Sequence, residues 1–486
     1  MKLKTLTTAI LLSLPTAGAF AAALDRSGQS ISAFLQPDNY FEAGISILDP
    51  KVEGVEAGDS TTKREIKDMA GDYYFPSAAL KIQVNDKFSV GLLYDQPFGA
   101  DASYSGNNVF VANPGTDTVL PQATIDGIAT KRVTEHLQSP TGQAQIAALI
   151  AAGATPAQAQ ATVTQGVLNS PEFKALQAGI AGANSSLGEG NTQVEVDTQN
   201  LSLIFGFQPT ENFNIYGGGV YQTVKGNVSL RGQAYSLFNG YDASIKETDG
   251  YGWLAGFAYQ IPDIALKASL TYRSEIDHDF KARESLSVLN YSGLAAVLQG
   301  VGVSPSQLQS ITSTGETKIT TPQSVNLDFQ TGIMANTVAF ANVRWVDWSS
   351  FSIRPYQFGK VSEAVGGVIN KPNGFNLVEY SDDQISATVG VGRKFNDLWA
   401  GSFSVGYDTG AGNPVSTLGP TEGYWNVGLG LQYSPTPATF IAGGVKYFML
   451  GDADAQTGAQ AGSNNYVAQF EDNDAWAYGL KIGYKF

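Results

Sequence analysis

Toward its C-terminus the chain alternates with a period of two. Tyr478, Leu480, Ile482, Tyr484 and Phe486 fall on one face of an extended segment, and Ala477, Gly479, Lys481, Gly483 and Lys485 on the other. The pattern recurs upstream. Trp425, Val427, Leu429, Leu431 and Tyr433 alternate with Asn426, Gly428, Gly430 and Gln432, and Trp399, Phe403, Val405 and Tyr407 alternate with Ala400, Ser402, Ser404 and Gly406. Tyr251, Trp253, Phe257 and Tyr259 form another apolar face, as do Ile264, Leu266, Leu270 and Tyr272. One face suits lipid and the other a watery lumen, with aromatics toward the ends where interfacial girdles belong.

This periodicity predicts strands over about 40–52, 72–84, 87–98, 193–208, 212–228, 248–261, 264–280, 322–334, 337–351, 382–395, 398–408, 422–433, 439–450 and 474–486. Their connections alternate between short and long. Short ones such as Asn85-Asp86, Pro262-Asp263, Ala335-Asn336 and Asn396-Asp397 are built from turn formers. The long ones include 99–192 and 281–321. That sorting predicts an all-β fold, a transmembrane antiparallel barrel of about 14 strands with both chain ends in the periplasm and long extracellular loops. The closing Phe486 resembles the terminal aromatic by which bacterial barrels are recognised, so barrel-assembly machinery is an expected partner.

The N-terminus explains how such a chain reaches a membrane. Lys2 and Lys4, the apolar run Leu6 to Leu14 and the site Ala19-Phe20-Ala21 predict a signal peptide over 1–21. No later stretch is apolar for long enough to make a transmembrane helix. Residues 22–39 then form a short N-terminal hatch-like segment ahead of a barrel over 40–486. Losing Lys2 and Lys4 takes the net charge from −15 to −17, which argues against nucleic-acid binding. Charged residues make up 15% of the chain, well under the roughly 25% of soluble domains. With no cysteines, stability rests on the closed hydrogen-bond ring of a barrel.

Two long loops carry helix signals. Gln143 to Ile150 is Ala-rich, and Ser170-Pro171-Glu172 reads as an N-cap with proline at the first helical position, followed by Phe173, Leu176 and Ile180 at helical spacing. Leu294, Val297 and Leu298 repeat that spacing in the second loop. The plain reading is filler over the barrel mouth; the functional one is an apolar landing surface.

Strand order and four stretches resemble the FadL family of outer-membrane transporters of long-chain fatty acids and other hydrophobic compounds. The stretches are Tyr74 to Gly99, Ala341 to Phe351 (ANVRWVDWSSF), Arg393 to Asp408 (RKFNDLWAGSFSVGYD) and Ala475 to Phe486 (AWAYGLKIGYKF). The resemblance implies fourteen strands, an N-terminal hatch in the lumen, a groove between two helical outer loops, an inner pocket and a side opening at a kinked third strand. The family's hatch runs to some forty residues with an Asn-Pro-Ala motif. Here Ala22 to Asn39 stand in its place, with Gln36-Pro37-Asp38 the nearest counterpart, which leaves room for a more open channel.

Single residues add candidate chemistry. A cation facing lipid at mid-membrane costs about 2–4 kcal/mol, so Arg344, Lys446, Lys267 and Arg273 are expected to face the lumen. Arg344, Lys446 and Arg273 are candidate partners of a substrate carboxylate, or else they neutralise the lumen's own acids. Phe448 is a candidate apolar lumen contact. Pro97, near one end of the third strand, lacks a ladder donor and either kinks the wall or ends the strand. Two histidines, His136 and His278, give a thin basis for catalysis, so no enzyme is expected and no cofactor or metal site is assigned. Asp452-Ala453-Asp454 opens like a calcium loop but has Thr457 where glycine belongs. The expected function is passive uptake of hydrophobic molecules, long-chain fatty acids first, by a monomer set among outer-membrane lipid and lipopolysaccharide. A general diffusion porin for small polar solutes is the alternative.

Overall fold

A computed structural model describes residues 24–486; the expected signal peptide, Met1–Ala21, lies outside the described residues. The barrel strands are β1 (Tyr40–Lys51), β2 (Tyr73–Gln83), β3 (Phe88–Asp95, resuming as Gly99–Ser103), β4 (Gln193–Thr210), β5 (Phe213–Leu230), β6 (Tyr241–Ile261) and β7 (Leu266–Arg273). They continue as β8 (Ser324–Met334), β9 (Thr337–Val346), β10 (Gln384–Lys394), β11 (Trp399–Asp408), β12 (Tyr424–Tyr433), β13 (Thr439–Leu450) and β14 (Asp474–Lys485). Each pairs antiparallel with its chain neighbours, and β14 returns to β1 with Lys485 opposite Tyr40, closing a 14-strand barrel.

The burial pattern is inverted relative to a water-soluble protein. Ile45, Phe205, Trp253, Val389, Leu429 and Leu480 are exposed, whereas Glu42, Asn200, Ser202, Ser404, Gln432 and Lys481 are buried. The apolar outer face meets lipid, and closure leaves no strand edge to be satisfied there. Short turns gather at one rim. In the tightest, Asn336 takes φ +58°, a conformation asparagine tolerates.

The long loops fold into a cap over the other rim. The first long loop carries α1 (Gln122–Gln138), α2 (Pro140–Ala151), α3 (Pro156–Leu168) and α4 (Pro171–Asn184). Ser170 accepts the N–H of Phe173 at 3.2 Å and Pro171 occupies the first turn, so the N-cap signal forms as predicted. Phe173, Leu176 and Ile180 are buried on α4. They face α5 (Leu294–Gly300), which buries Leu294, Val297 and Leu298 and precedes α6 (Pro305–Ser310). A further helix, α7 (Tyr356–Gly366), had no clear sequence signal. The largest apolar core lies in this cap, because the barrel gives its apolar face to lipid.

Three predicted strands are corrected. The seventh does not run to Phe280: it ends at Arg273, and Ile276–Phe280 turns into the lumen as a ribbon with Thr317–Thr321. Gly250 and Gly252 permit this, since a Cβ at either would meet Ile276 at 2.6–2.7 Å. The ninth stops at Val346, after which Trp348 folds into full burial. The sixth begins at Tyr241, seven residues before the expected 248, continuing above the lipid zone as a partner of β5.

Candidate functional site

The site begins with the segment ahead of β1. Residues 24–39 run inside the barrel and are tied to its wall by polar groups along their length. Asp25 receives Arg344 Nε at 2.6 Å, and Gln29 Oε1 receives Arg344 Nη2 at 3.0 Å. Arg344 Nη1 donates to Asn326 and Ser324 at 2.7 and 3.2 Å. Asn326 in turn donates to the Gly28 carbonyl at 2.7 Å. Farther along, Ile31–Gln36 makes one helical turn, and carbonyls at its end and just beyond it meet cations. Lys267 donates to Leu35 O at 2.7 Å and Lys81 to Asp38 O at 2.8 Å, an arrangement favoured by the negative end of a turn.

Phe34, fully buried, wedges this turn into the wall. Its ring lies edge-on to Tyr216 with centroids 5.8 Å apart and covers Gly91 and Gly206. A Cβ at Gly91 would come within 2.4 Å of the ring, so the socket requires glycine.

The wall opens next to this segment. Pairing of β2 with β3 runs from Gln83–Ser89 to Ala78–Tyr94 and resumes in the same register only at the bridge Ala70–Ala102. Between these points β3 turns inward and pairs with the N-terminal segment instead. Arg26 N–H donates to Pro97 O at 2.6 Å, Gly99 N–H donates to Leu24 O at 2.9 Å, and Asp25 bridges Phe98. Against β4 the partner step goes from Asp95–Asn200 to Gly99–Asp197, four residues against three, which is a β-bulge. Tyr73 fastens the top of the gap by accepting Asp101 N–H at 2.5 Å. Prolines flank the gap on both sides: Pro97 on β3 and the exposed Pro76 on β2. Pro76 escaped the sequence reading, although a proline inside a strand marks a side on which pairing is lost.

Largely apolar cavities lie between the cap and this window. A groove of about 860 Å³ in the cap is lined by Leu237, Phe238, Leu298, Phe358, Ile369 and Leu418, among others. Leu418 also borders a chamber bounded by Leu24, Arg26, Met69, Tyr73 and Val196. Leu24 and Val196 are shared with a further apolar pocket under Phe98 and Trp348. Arg26 lies over the Tyr73 ring at 4.9 Å, between these chambers and one of about 720 Å³ at the window, where Ser27, Phe75, Pro76, Asp95 and Arg273 meet.

The structure distributes the candidate residues widely. Arg344 is buried in contact with the N-terminal segment. Arg273 lines the window chamber, donating Nη2 to Gln29 O at 3.2 Å. Lys446 is half-buried on the inner side of β13, opposite Gly428 and Ala477. Phe448 is fully buried beneath the cap, edge-on to Tyr424 at 5.3 Å. His278 is buried with Nε2 2.8 Å from Gln222, and His136 meets Gln145 at 2.9 Å on the exposed cap. Asp452 and Asp454 bond Asp472 and Gln469 within the cap.

A lipid-facing barrel with an occupied lumen and a series of cavities, most of them apolar, defines an outer-membrane channel for hydrophobic compounds. Residues 29–486 match the family described as outer membrane protein transport protein (OMPP1/FadL/TodX), and the chain belongs to that family, one of transport channels. A FadL homologue from Pseudomonas aeruginosa has a similar structure, with a TM-score of 0.60 at 13% identity over 98% of this chain and 99% of that one. The Pseudomonas putida toluene transporter TodX gives 0.52 at 11% identity over 93% and 91%. No curated protein is matched by the sequence itself.

Proposed function

We propose that the protein takes up long-chain fatty acids passively, with its loop cap outside the cell, both termini in the periplasm and a monomer as the working unit. The substrate is captured in the cap groove, passes the chambers around Leu24 and Val196, and leaves sideways through the window between β2 and β3. The observation that supports this most is the inward pairing of β3 with the N-terminal segment. The same backbone bonds occupy the lumen and hold the wall apart, so displacing the segment alters the window too.

A hydrophobic chain cannot use a water-filled pore, since each CH₂ entering water costs about 0.8 kcal/mol. It needs apolar surface along its path, which the cap groove and the chambers around Leu24 and Val196 offer ahead of the window. Lys446 and Arg273 are the cations offered to a carboxylate, and Phe448 backs the cap's apolar wall. Pro97 offers no N–H toward β2 at the window, while its carbonyl accepts from the N-terminal segment. Arg344 meets a substrate only after Asp25 and Gln29 have left it. The toluene named for TodX makes monoaromatic hydrocarbons the competing substrate class.

Titration of the purified protein with a radiolabelled long-chain fatty acid, beside planar-bilayer recording, tests the reading. Saturable binding with little steady conductance is the expected result. Large steady conductance without binding would make the protein a porin, and saturable toluene binding without fatty-acid binding would move it to the aromatic class.

A further inference from the structure

We propose that Glu284 is the positioning residue of the cap groove. Its carboxylate, on the second long loop, caps α7 from outside the helix and fixes the groove wall made by Phe358, Val365 and Ile369, without touching a substrate itself. The proposal rests on the uptake reading, in which that groove is the entry site.

An α-helix leaves the N–H groups of its first turn without partners inside the helix. α7 lacks the usual local remedies: Pro355, at its N-cap, offers no side-chain acceptor, and the first turn carries no acidic residue. The first intrahelical bond runs from Gly359 N–H to Pro355 O, which leaves the N–H groups of Tyr356, Gln357 and Phe358. The second long loop takes all three. Thr317 Oγ1 accepts from Tyr356 at 3.0 Å, Glu284 Oε1 from Gln357 at 2.9 Å and Glu284 Oε2 from Phe358 at 2.9 Å. Glu284 lies in a short strand, Arg283–Leu286, that pairs with the outer end of β6 in the barrel sheet. A single carboxylate thus ties a loop helix to the wall.

The same carboxylate holds the helix's neighbour. Tyr241 Oη donates to Glu284 Oε2 at 2.8 Å, and the Tyr241 ring packs edge-on to Phe358 with centroids 5.3 Å apart. Phe358 in turn meets Phe238 at 4.5 Å, and both line the groove with Val365 and Ile369. Negative charge is favoured at a helix N-terminus, and N–H bonds to a carboxylate are stronger than neutral ones. Glu284 therefore sets where α7 begins and where Phe358 lies, and Val365, two turns on, follows.

In the full-length protein in lipid nanodiscs, hydrogen exchange at the α7 amides is followed beside stopped-flow association and dissociation of cis-parinaric acid, a fluorescent long-chain fatty acid. Glu284→Gln keeps the size and loses the charge. It is expected to speed exchange at Gln357 and Phe358 about tenfold and to slow association severalfold, with dissociation and the protection of the barrel amides unmoved. Glu284→Asp restores part of both. Unchanged exchange in Glu284→Gln, or faster exchange with unchanged association, would overturn the role of Glu284 while leaving the uptake reading intact. A wild type that binds no fatty acid would overturn the uptake reading, and with it the groove as an entry site. Should Glu284→Gln lose the heat-modifiable migration of a folded barrel, Tyr241→Phe, which removes one donor from the carboxylate, decides instead. Faster exchange at Phe358 with slower association is then expected, and no change in either counts against the proposal.

Discussion

Two acids, one half-buried and one buried, show how single residues set the behaviour of this barrel. Glu422 sits in the loop before β12, with Oε1 accepting the Gly412 N–H at 3.1 Å and Oε2 without a described donor. Burial pushes its carboxyl up to about 7. The folded state thus holds a proton that the unfolded chain releases above its ordinary value of 4.5. Stability from this group is greatest below that value, falls as pH rises toward 7, and is flat beyond. Glu422→Gln is expected to raise stability by about 1–3 kcal/mol at pH 8 and by little at pH 4, as followed by the temperature at which the barrel loses its folded gel mobility. Asp25 works in the opposite sense. Asp25→Asn leaves the Arg344 charge buried without its counterion, a loss on the order of 3–5 kcal/mol for docking of the segment. Faster hydrogen exchange at Leu24–Gln29, with the barrel amides still protected, is the expected readout.

Among the elements, the cap helices and β3 carry the functional weight. α4 and α5 bury one another's apolar stripes, while the turn after α7 presents Ile369, 36% exposed, to the groove. Ile369→Glu places a charge where an apolar tail would lie and should weaken capture of a fluorescent fatty acid by whole cells about tenfold at subsaturating concentration, with folded protein levels unchanged. Equal capture would show that the groove is not an entry site. β3 is legible in the sequence only up to its break. Pro97 signals an interruption, but the same residue ends a strand as readily as it kinks one. Which of these happens depends on the 24–27 segment offering backbone partners, a contact between distant parts of the chain.

Across the whole molecule, the barrel and its lumen segment are separable. The ring closes through β1 and β14 beginning at Tyr40, beyond the segment. Deleting residues 24–36 is therefore expected to leave a barrel that still shifts on heating in gels but conducts steadily in planar bilayers, where the intact protein does not. Unchanged conductance in the deletion would show that the cap, with its sheet and helices, is the barrier instead.

The alternation of residues determined the strand number and the lipid-facing sides, turn formers and loop lengths the sorting of loops, and helical spacing the buried helix faces at Phe173, Leu176 and Ile180. Each is a local or period-two property, enforced by the cost of turning a charge toward lipid or an apolar stripe toward water. Tertiary structure alone decided what the lumen cations do. Arg344 and Arg273 look alike in the sequence, each a cation on a polar strand face, yet every nitrogen of Arg344 bonds Asp25, Gln29, Asn326 or Ser324 while two nitrogens of Arg273 have no described acceptor. The difference arises because a segment some 250 to 320 residues away in the chain lies against one guanidinium and only grazes the other. Hydrogen-bond geometry at that separation has no periodicity for a sequence to display.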